Sequence, residues 1–441
     1  MTEHQNGMFF RCVTTQKFKT TKISVTLLAP LSRETAALYA ILPGLLSRSC
    51  EKYPDFTALK RKLAMLYGAA VNGTASAQGD SHAITISISA LDDRYAIENS
   101  QFTIHNSQLG LNEPLTHPFS DNSSDNISNE CTDLLCEMLF SPNLINGLFS
   151  QEDVDAEKRQ LKERIEAQQN DRRSFALQRC VEEMCDKEPH GVNPLGTIES
   201  VDALTPESIT NGWRNLMSTA RAEIIMIGNM DADGVEKRIR EAFGSRPGYM
   251  NPPKNTIIPA RSEVKEHIEI VDASQSKMVL GYRTNISDSS GDPFAARMMC
   301  ACLGGTPHSR LFLNVREKLS LCYYCNSVYN KQKGLLFIQS GLEKGNVDKA
   351  RKEISAQIKS IAEGNLTKEE TENAKLAVKN SFLSSNDSVS QLDSWYRAQI
   401  LSNEVLSPEE ASERIMSITS GEIAKAARTL ILDTAYLLSG E

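Results

Sequence analysis

Several common function classes are excluded by what the sequence lacks. No apolar run approaches the roughly 18–20 residues needed to cross a bilayer. The opening residues, MTEHQNGMFFRC, lack the basic segment and long apolar stretch of a secretory signal. A soluble, cytoplasmic protein without a membrane partner is therefore expected. Positive charge is in deficit: 48 Lys and Arg against 56 Asp and Glu leave a net charge of −8. Phosphate backbones need a basic surface, so nucleic acid is not an expected partner. No GxxxxGK[ST] or GxGxxG supports a phosphate cradle, and no GxSxG supports a serine nucleophile. Histidine is scarce: there are seven, and no two lie three to five residues apart. HExxH and HxxEH are thus absent, and with them a self-contained zinc site on one helical face.

What is present is an ordinary globular composition, with 40% hydrophobic and 24% charged residues. The 441 residues predict two to four domains at roughly 100–200 residues each. Ten cysteines in so long a chain without a signal peptide do not form a disulfide framework and read mainly as small buried hydrophobes.

The chain reads as two similar halves. Lys22 to Pro30 alternates as a half-buried strand, helices follow over Arg33 to Ser47 and Asp55 to Tyr67, and His82 to Ala90 is a second strand. Long amphipathic helices are expected from about residue 130. The order repeats with a strand over Lys277 to Asn285, helices over Pro293 to Leu303 and Ser309 to Leu319, a strand over Gly334 to Leu342, and a helix from Val347 to Glu363. Between the halves, Gly244 to Glu263 holds four prolines, which stop helices and stiffen a linker. The expected division is residues 1–245, a linker at 246–262 centred near 255, and 263–441. Strands with segregated helices predict an α+β fold, each half a mainly antiparallel sheet covered by helices. Ile104 to Glu130 is rich in Asn and Ser without periodicity, and reads as an inserted, mobile loop.

Two motifs carry possible chemistry. Cys322-Tyr-Tyr-Cys325 has the spacing of a redox dithiol or half a zinc ribbon. It is expected on a strand, where residues i and i+3 point to opposite faces and cannot pair. A redox enzyme would need a low-pKa thiol here. The second motif is Leu303 to Tyr324, LGGTPHSRLFLNVREKLSLCYY, a Gly-Gly turn, a helix ending in Arg316-Glu317-Lys318, and Tyr323 at the next strand. A guanidinium fork and a phenol on adjacent elements could converge on one carbonyl, gripping a peptide and stabilising an oxyanion. A surface Arg and a core-edge Tyr would explain the same residues.

This run resembles the C-terminal-domain signature of the insulinase or pitrilysin family of zinc peptidases, the M16 family, which is similar to LGGxxxSRLFxxVREKLGLAY. Leu303, Gly304, Gly305, Ser309, Arg310, Leu311, Phe312, Val315, Arg316, Glu317, Lys318, Leu319 and Tyr323 match it, while Ser320 and Cys322 replace the usual Gly and Ala. His190 to Glu207 is similar to the family's PLGxxxxVxxLTxE run. The resemblance covers nearly the whole chain apart from Ile104 to Glu130, and implies two homologous domains forming half of a clam-shell chamber. It also implies Arg316 and Tyr323 as catalytic residues in trans, and Gly304 and Gly305 as substrate-binding.

The N-terminal half keeps the family's framework without its chemistry. Where members resemble GLAHFLEHMLFKGTxxYP, Ala37 to Pro54 reads ALYAILPGLLSRSCEKYP. Ala40 and Gly44 then stand at the two zinc histidines and Pro43 at the catalytic Glu. Plain spacing puts the third ligand at Asp121. Matching the helix Asp155 to Ala167 instead aligns Glu157 with the Glu behind the ligands and puts Arg164 at the ligand itself. Ala, Gly and Arg cannot hold Zn²⁺, and without it there is no activated water.

The resemblance therefore implies the inactive partner of a heterodimer, of the Firmicute type encoded beside a zinc-bearing paralogue. No cofactor is expected in this chain, and zinc is expected in the partner. The substrate class implied is a peptide or unfolded polypeptide, with a link to maturation of elongation factor P or of a peptide product. The alternative is a catalytically inert scaffold or peptide-binding clamp.

Overall fold

A computed structural model of the chain describes residues 2–4, 7–95, 126–246, 248–271 and 275–440. The first sheet contains β1 (Thr2–His4), β2 (Met8–Val13), β3 (Thr20–Pro30), β4 (Ala70–Gln78) and β5 (Ser81–Leu91). After the short ribbon β6 (Leu144–Ile145) and β7 (Leu148–Phe149), β8 (Arg221–Ile227) completes it. Its order is β1-β2-β8-β3-β5-β4. The second sheet, of β9 (Lys265–Val271), β10 (Ser276–Arg283), β11 (Tyr324–Asn330), β12 (Leu335–Leu342) and β13 (Ile431–Gly440), has the order β11-β12-β10-β13-β9.

The two orders are one plan used twice. Read from the parallel edge, β2-β8-β3-β5-β4 corresponds to β9-β13-β10-β12-β11. In each, the first pair is parallel and the remaining pairs are antiparallel. The edge strands β4 and β11 are each paired on one side only.

Each half has its own helix-covered core, one built around Ile23, Leu42, Leu46, Ile84 and Leu135, the other around Leu280, Ala296, Leu311, Ile338 and Ile415. The opposite face of each sheet is covered by a helix from the other half. The helix Arg172–Met184 lays Ala176, Cys180 and Met184 on Val279, Leu335, Phe337 and Tyr436. The helix Val389–Arg397 lays Val389, Leu392 and Tyr396 on Leu28, Ala83, Ile225 and Ile227.

This exchange corrects the reading of β3 as half-buried: every residue from Thr21 to Ala29 is buried. Its alternate polar residues are satisfied internally rather than by water. Ser24 Oγ donates to Asp393 Oδ1 at 2.6 Å, Thr26 and Thr85 hydroxyls meet at 2.9 Å, and Lys22 pairs with Asp393 at 3.3 Å. Buried polar groups need such partners, since each orphan costs about 1–3 kcal/mol.

The segment 251–261 has no regular structure and threads through the seam between the halves. There Lys333, fully buried, bonds Asp80 Oδ1 at 2.7 Å and Glu188 Oε2 at 2.8 Å, and donates to the Thr256 carbonyl. Arg283 joins Glu188 at 2.7 Å to Asp433 at 3.1 Å and donates to the Ile258 carbonyl. Asp80 also accepts from the Thr256 amide at 2.6 Å. One buried, hydrogen-bonded network thus ties hairpin β4–β5, the linker and the second sheet together.

Two further expectations for elements are corrected. The helix over Arg33 to Ser47 is two helices, Ala36–Ala40 and Leu42–Arg48, separated at Ile41. Residues 104–125 of the expected insertion lie outside the described residues, but Ile127 to Glu130 are the first turn of a helix running to Phe140. Ile127, Ser128 and Asn129 are buried there, and the Ser128 amide donates to Asp93 at 2.9 Å.

Candidate active site

The segment that the resemblance aligns with the family's zinc motif lies in the helix pair beside edge strand β4. Ala40 is buried at the end of Ala36–Ala40, and Pro43 and Gly44 sit in the first turn of Leu42–Arg48. A Cβ on Gly73 of β4 would lie 2.8 Å from the Pro43 Cβ, so strand and helix touch where a ligand pocket would open. A Cβ on Gly44 would fall on the Glu157 carboxylate. Glu157 comes from the helix Gln151–Asn170, whose N-cap is Ser150, and is turned inward with Val154 and Leu161.

Glu157 is held by Arg48 at 3.4 Å, and Arg48 also pairs with Asp153 at 2.8 Å. Burial pushes the Glu157 carboxyl above its usual range, while Arg48 opposes the shift. Arg164 is exposed on the same helix and acts on Glu157 only through its charge. These residues do not fit zinc: Ala40 and Gly44 offer no donor atom, and Arg164 is a cation. Among the described residues, no three His, Cys, Asp or Glu side chains are grouped to hold a metal ion. Asp121 lies outside the described residues.

Close by, β5 carries a feature that residue counting missed. His82 is fully buried, its ring 6.1 Å from that of Tyr39, and neither ring nitrogen has a hydrogen-bond partner. Burial lowers its pKa to about 4, so the imidazole is neutral. The burial follows from its place on the core face of β5, with Ile84 and Ile86.

The C-terminal segment occupies the corresponding place in the second sheet. The helix Pro293–Cys300 widens into a π-helical turn, Ala301–Gly305, and Leu311–Lys318 is also wound as a π helix, its end marked by the Leu319 amide bonding the Asn314 carbonyl at 3.1 Å. Such wide turns are rare and frequent at functional sites. Gly304 is buried, and a Cβ there would lie 2.7 Å from the Ser327 amide nitrogen of β11. Close packing therefore accounts for Gly304, whereas Gly305 is exposed. Arg310 is structural: it pairs with Glu370 at 2.8 Å and donates to Ser360 at 2.7 Å.

Arg316 is partly exposed, stacked over the Phe312 ring at 4.7 Å and 3.4 Å from Glu317. Tyr323 is 52% exposed, at the entry to edge strand β11. Its amide donates to the Gly341 carbonyl at 2.8 Å and its hydroxyl to Glu343 Oε1 at 3.1 Å. The Glu343 charge raises the phenol's pKa, keeping the O–H a proton donor. Cys322 lies before the strand rather than on it, Cys325 is the second residue of the strand, and both are buried. The expectation that both stand on one strand is thus corrected: Ser320, at φ 49°, turns the chain ahead of it, and only Cys325 follows the strand pleat.

A family profile described as the peptidase M16 inactive domain matches residues 203–378. A Bacillus subtilis protein named "Probable inactive metalloprotease YmfF" is 29% identical over 98% of this chain and 96% of its own length. An uncharacterized zinc protease of Streptomyces coelicolor is 25% identical over 68% of this chain and 66% of its own. The crystal structure of a conserved protein from Enterococcus faecalis superposes with a TM-score of 0.85 at 26% identity, covering 99% of this chain and 97% of that one. A protease from Helicobacter pylori shares the fold, with a TM-score of 0.73 at 15% identity over 98% of this chain and 97% of its own.

Proposed function

The chain is an inactive-type homologue of the M16 peptidases, and from that premise we propose that it is the non-metal subunit of a two-chain peptidase. A zinc-motif-bearing paralogue supplies the metal and base. This chain supplies Arg316 to hold the substrate backbone and Tyr323 to donate to the developing oxyanion. A peptide or unfolded polypeptide binds as an added strand, for which the open edges β4 and β11 are suited. The observation that carries this reading is Tyr323: an exposed phenol, kept protonated, at the mouth of an open strand edge, with Arg316 on the preceding helix.

A second reading, a peptide-binding clamp without turnover, is favoured by one observation. The Tyr323 hydroxyl is already engaged by Glu343, and Arg316 by Glu317 and Phe312.

The two separate in a co-purification with the zinc-motif paralogue, measuring bound zinc and cleavage of a quenched peptide library. Zinc and cleavage only in the mixed complex are expected. Tyr323→Phe should then lower turnover by about 10²–10³, the typical loss for one oxyanion donor, with assembly unchanged. An unaltered rate in that variant would remove the catalytic role, and a stable complex that binds peptide without cleaving it would favour the clamp. Cleavage by this chain alone would overturn both readings.

A further inference from the structure

Among the described residues, five Lys and Arg side chains are buried: Lys22, Arg246, Arg283, Arg310 and Lys333. Four of them have a carboxylate. Lys22 has Asp393, Arg283 has Glu188 and Asp433, Arg310 has Glu370, and Lys333 has Asp80 and Glu188. Arg246 has none among the described residues. It is 3% exposed, follows the helix Ala232–Phe243, and donates from Nη2 to the Ala220 carbonyl. Its Nε and Nη1 are buried and have no hydrogen-bond partner. Nε carries one N–H and Nη1 two, so three of the fork's five donors are unanswered.

The Phe243 ring lies 5.0 Å from the guanidinium carbon and attracts it, but a ring brings no counter-charge. Burial lowers the pKa of Arg246 to about 10, which leaves the side chain charged at neutral pH. Buried charges are ordinarily paired, because their desolvation is otherwise uncompensated. Both free nitrogens are shut off from bulk water. The acceptor that answers them comes from the protein or from a ligand, and the described residues supply none.

Arg246 lines a cavity of about 430 Å³. Its walls are the ends of the helices Ile127–Phe140, Pro206–Thr219 and Ala232–Phe243 and the chain that follows the last of them. Phe140 and Phe243 meet edge to face, with ring centroids 4.7 Å apart, and Trp213 and Met217 extend the apolar wall. The Trp213 N–H is already donated to the Leu139 carbonyl at 2.9 Å. Arg214 stands at the exposed rim, donating to the Gly147 carbonyl at 2.9 Å. No Asp or Glu among the described residues lines the cavity. It therefore combines two guanidiniums, one of them unpaired, with aromatic walls and no negative charge.

We propose that this cavity binds a carboxylate carried on an apolar or aromatic group, with Arg246 as the partner of the anion. A carboxylate matches the guanidinium fork and brings one negative charge to one unpaired cation. The apolar body beside it is buried against Phe140, Phe243 and Trp213, which an inorganic phosphate could not exploit. A free acid of this kind and the last residue of a polypeptide present the same two groups. The site is on the helix-covered side of the first sheet and stands apart from the roles given to Arg316 and Tyr323.

The test is isothermal titration calorimetry of the full-length chain. The probes are N-acetyl-L-phenylalanine, its amide, and a short peptide ending in Leu-Phe with a free or an amidated terminus. Both acids should bind, and both amides at least ~10-fold more weakly, the loss of a charge-assisted hydrogen bond. Arg246→Met should weaken the acids about 10–10²-fold and leave the thermal midpoint unchanged or higher, because it removes an unpaired buried charge. Arg214→Gln, at the rim, should weaken them by less.

A peptide at least ~10-fold tighter than the free acid would support a polypeptide C-terminus as the occupant, and a free acid as tight as the peptide would support a small acid. Acids and amides that bind alike would overturn the anion site, as would acids that give no heat up to about 10 mM. Inorganic phosphate binding where both acids fail would overturn the carboxylate. If Arg246→Met does not fold, Arg246→Lys takes its place, keeping the charge and losing the fork. Acids that bind that variant as tightly as the wild type would overturn the role of the guanidinium.

Discussion

The N-terminal half sets Gly73 on edge strand β4 against Pro43 of the neighbouring helix. The C-terminal half sets Gly304 on its π-helical turn against Ser327 of edge strand β11. Both halves bring a helix end onto the edge strand of the same sheet plan, and each uses glycine where the backbones meet. They differ in what occupies the gap. In the N-terminal half a mobile carboxylate, Glu157, covers Gly44 and is held by Arg48. In the C-terminal half backbone meets backbone, and Arg316 and Tyr323 are left facing outward. One plan thus sets a partly buried ion pair beside the helix end in one copy and leaves an exposed Arg and Tyr in the other.

The halves also differ beneath the helices. His82 sits on β5 at the register position that Leu336 holds on β12: each is one residue beyond the strand-end pairs Pro30–Ser81 and Arg283–Leu335. The N-terminal core therefore carries a buried, unpartnered imidazole where the C-terminal core carries an alkyl chain.

The largest way to break the pairing of the halves is at their seam. Lys333→Met leaves Asp80 buried without its cation and Glu188 with Arg283 alone, and should cost about 3–5 kcal/mol, read as a lowered urea midpoint. A loss below about 1 kcal/mol would mean that water replaces the ammonium. Next is His82→Leu, which gives the first half what the second already has. With a folded pKa near 4 against 6.5 unfolded, His82 is neutral in the fold, and its contribution is complete above pH 6.5. As pH falls from 6.5 to 4 the unfolded chain gains a proton first, so about 2–3 kcal/mol is lost through that window. His82→Leu should flatten the acid limb by that amount, and identical limbs would show the ring hydrated and protonated in the fold.

Smaller still is the contrast between the two glycines. Gly304→Ala should cost about 1–3 kcal/mol, because the Ser327 backbone cannot yield. Gly44→Ala should cost less than about 1 kcal/mol, because the Glu157 carboxylate can swing aside. Equal thermal shifts for the two would show that the gaps are equally rigid.

Much of the plan was legible in the residues. Apolar stretches over Lys22–Pro30, His82–Ala90, Lys277–Asn285 and Gly334–Leu342 marked β3, β5, β10 and β12, because these central strands bury apolar side chains whatever covers them. That Ala40, Gly44 and Arg164, which the resemblance sets at the ligand positions, offer no metal donor could be judged without coordinates, since donor chemistry is a property of the side chain. Arg316 and Tyr323 stood out by motif and spacing. That β3 is buried on both faces could not be read, because the helix that covers its polar side lies more than 350 residues away and packs there only once both halves are folded. Alternation records which residues differ in polarity; whether water or Asp393 satisfies Ser24 is decided by tertiary contacts.

The same distinction runs through the sites. The sequence by itself determined the repeated succession of strands and helices, the lack of donor atoms at Ala40 and Gly44, and the Arg316 and Tyr323 spacing of the motif, all properties of residue type and local pattern. Only the tertiary structure decided that the Glu157 carboxylate lies against Gly44, that Lys333 locks the seam, and that Ser320 turns the chain left-handed ahead of β11. Each of those depends on where a chain direction changes or on which distant groups share one buried volume, and low-dielectric burial then sets how strongly the charges act on one another.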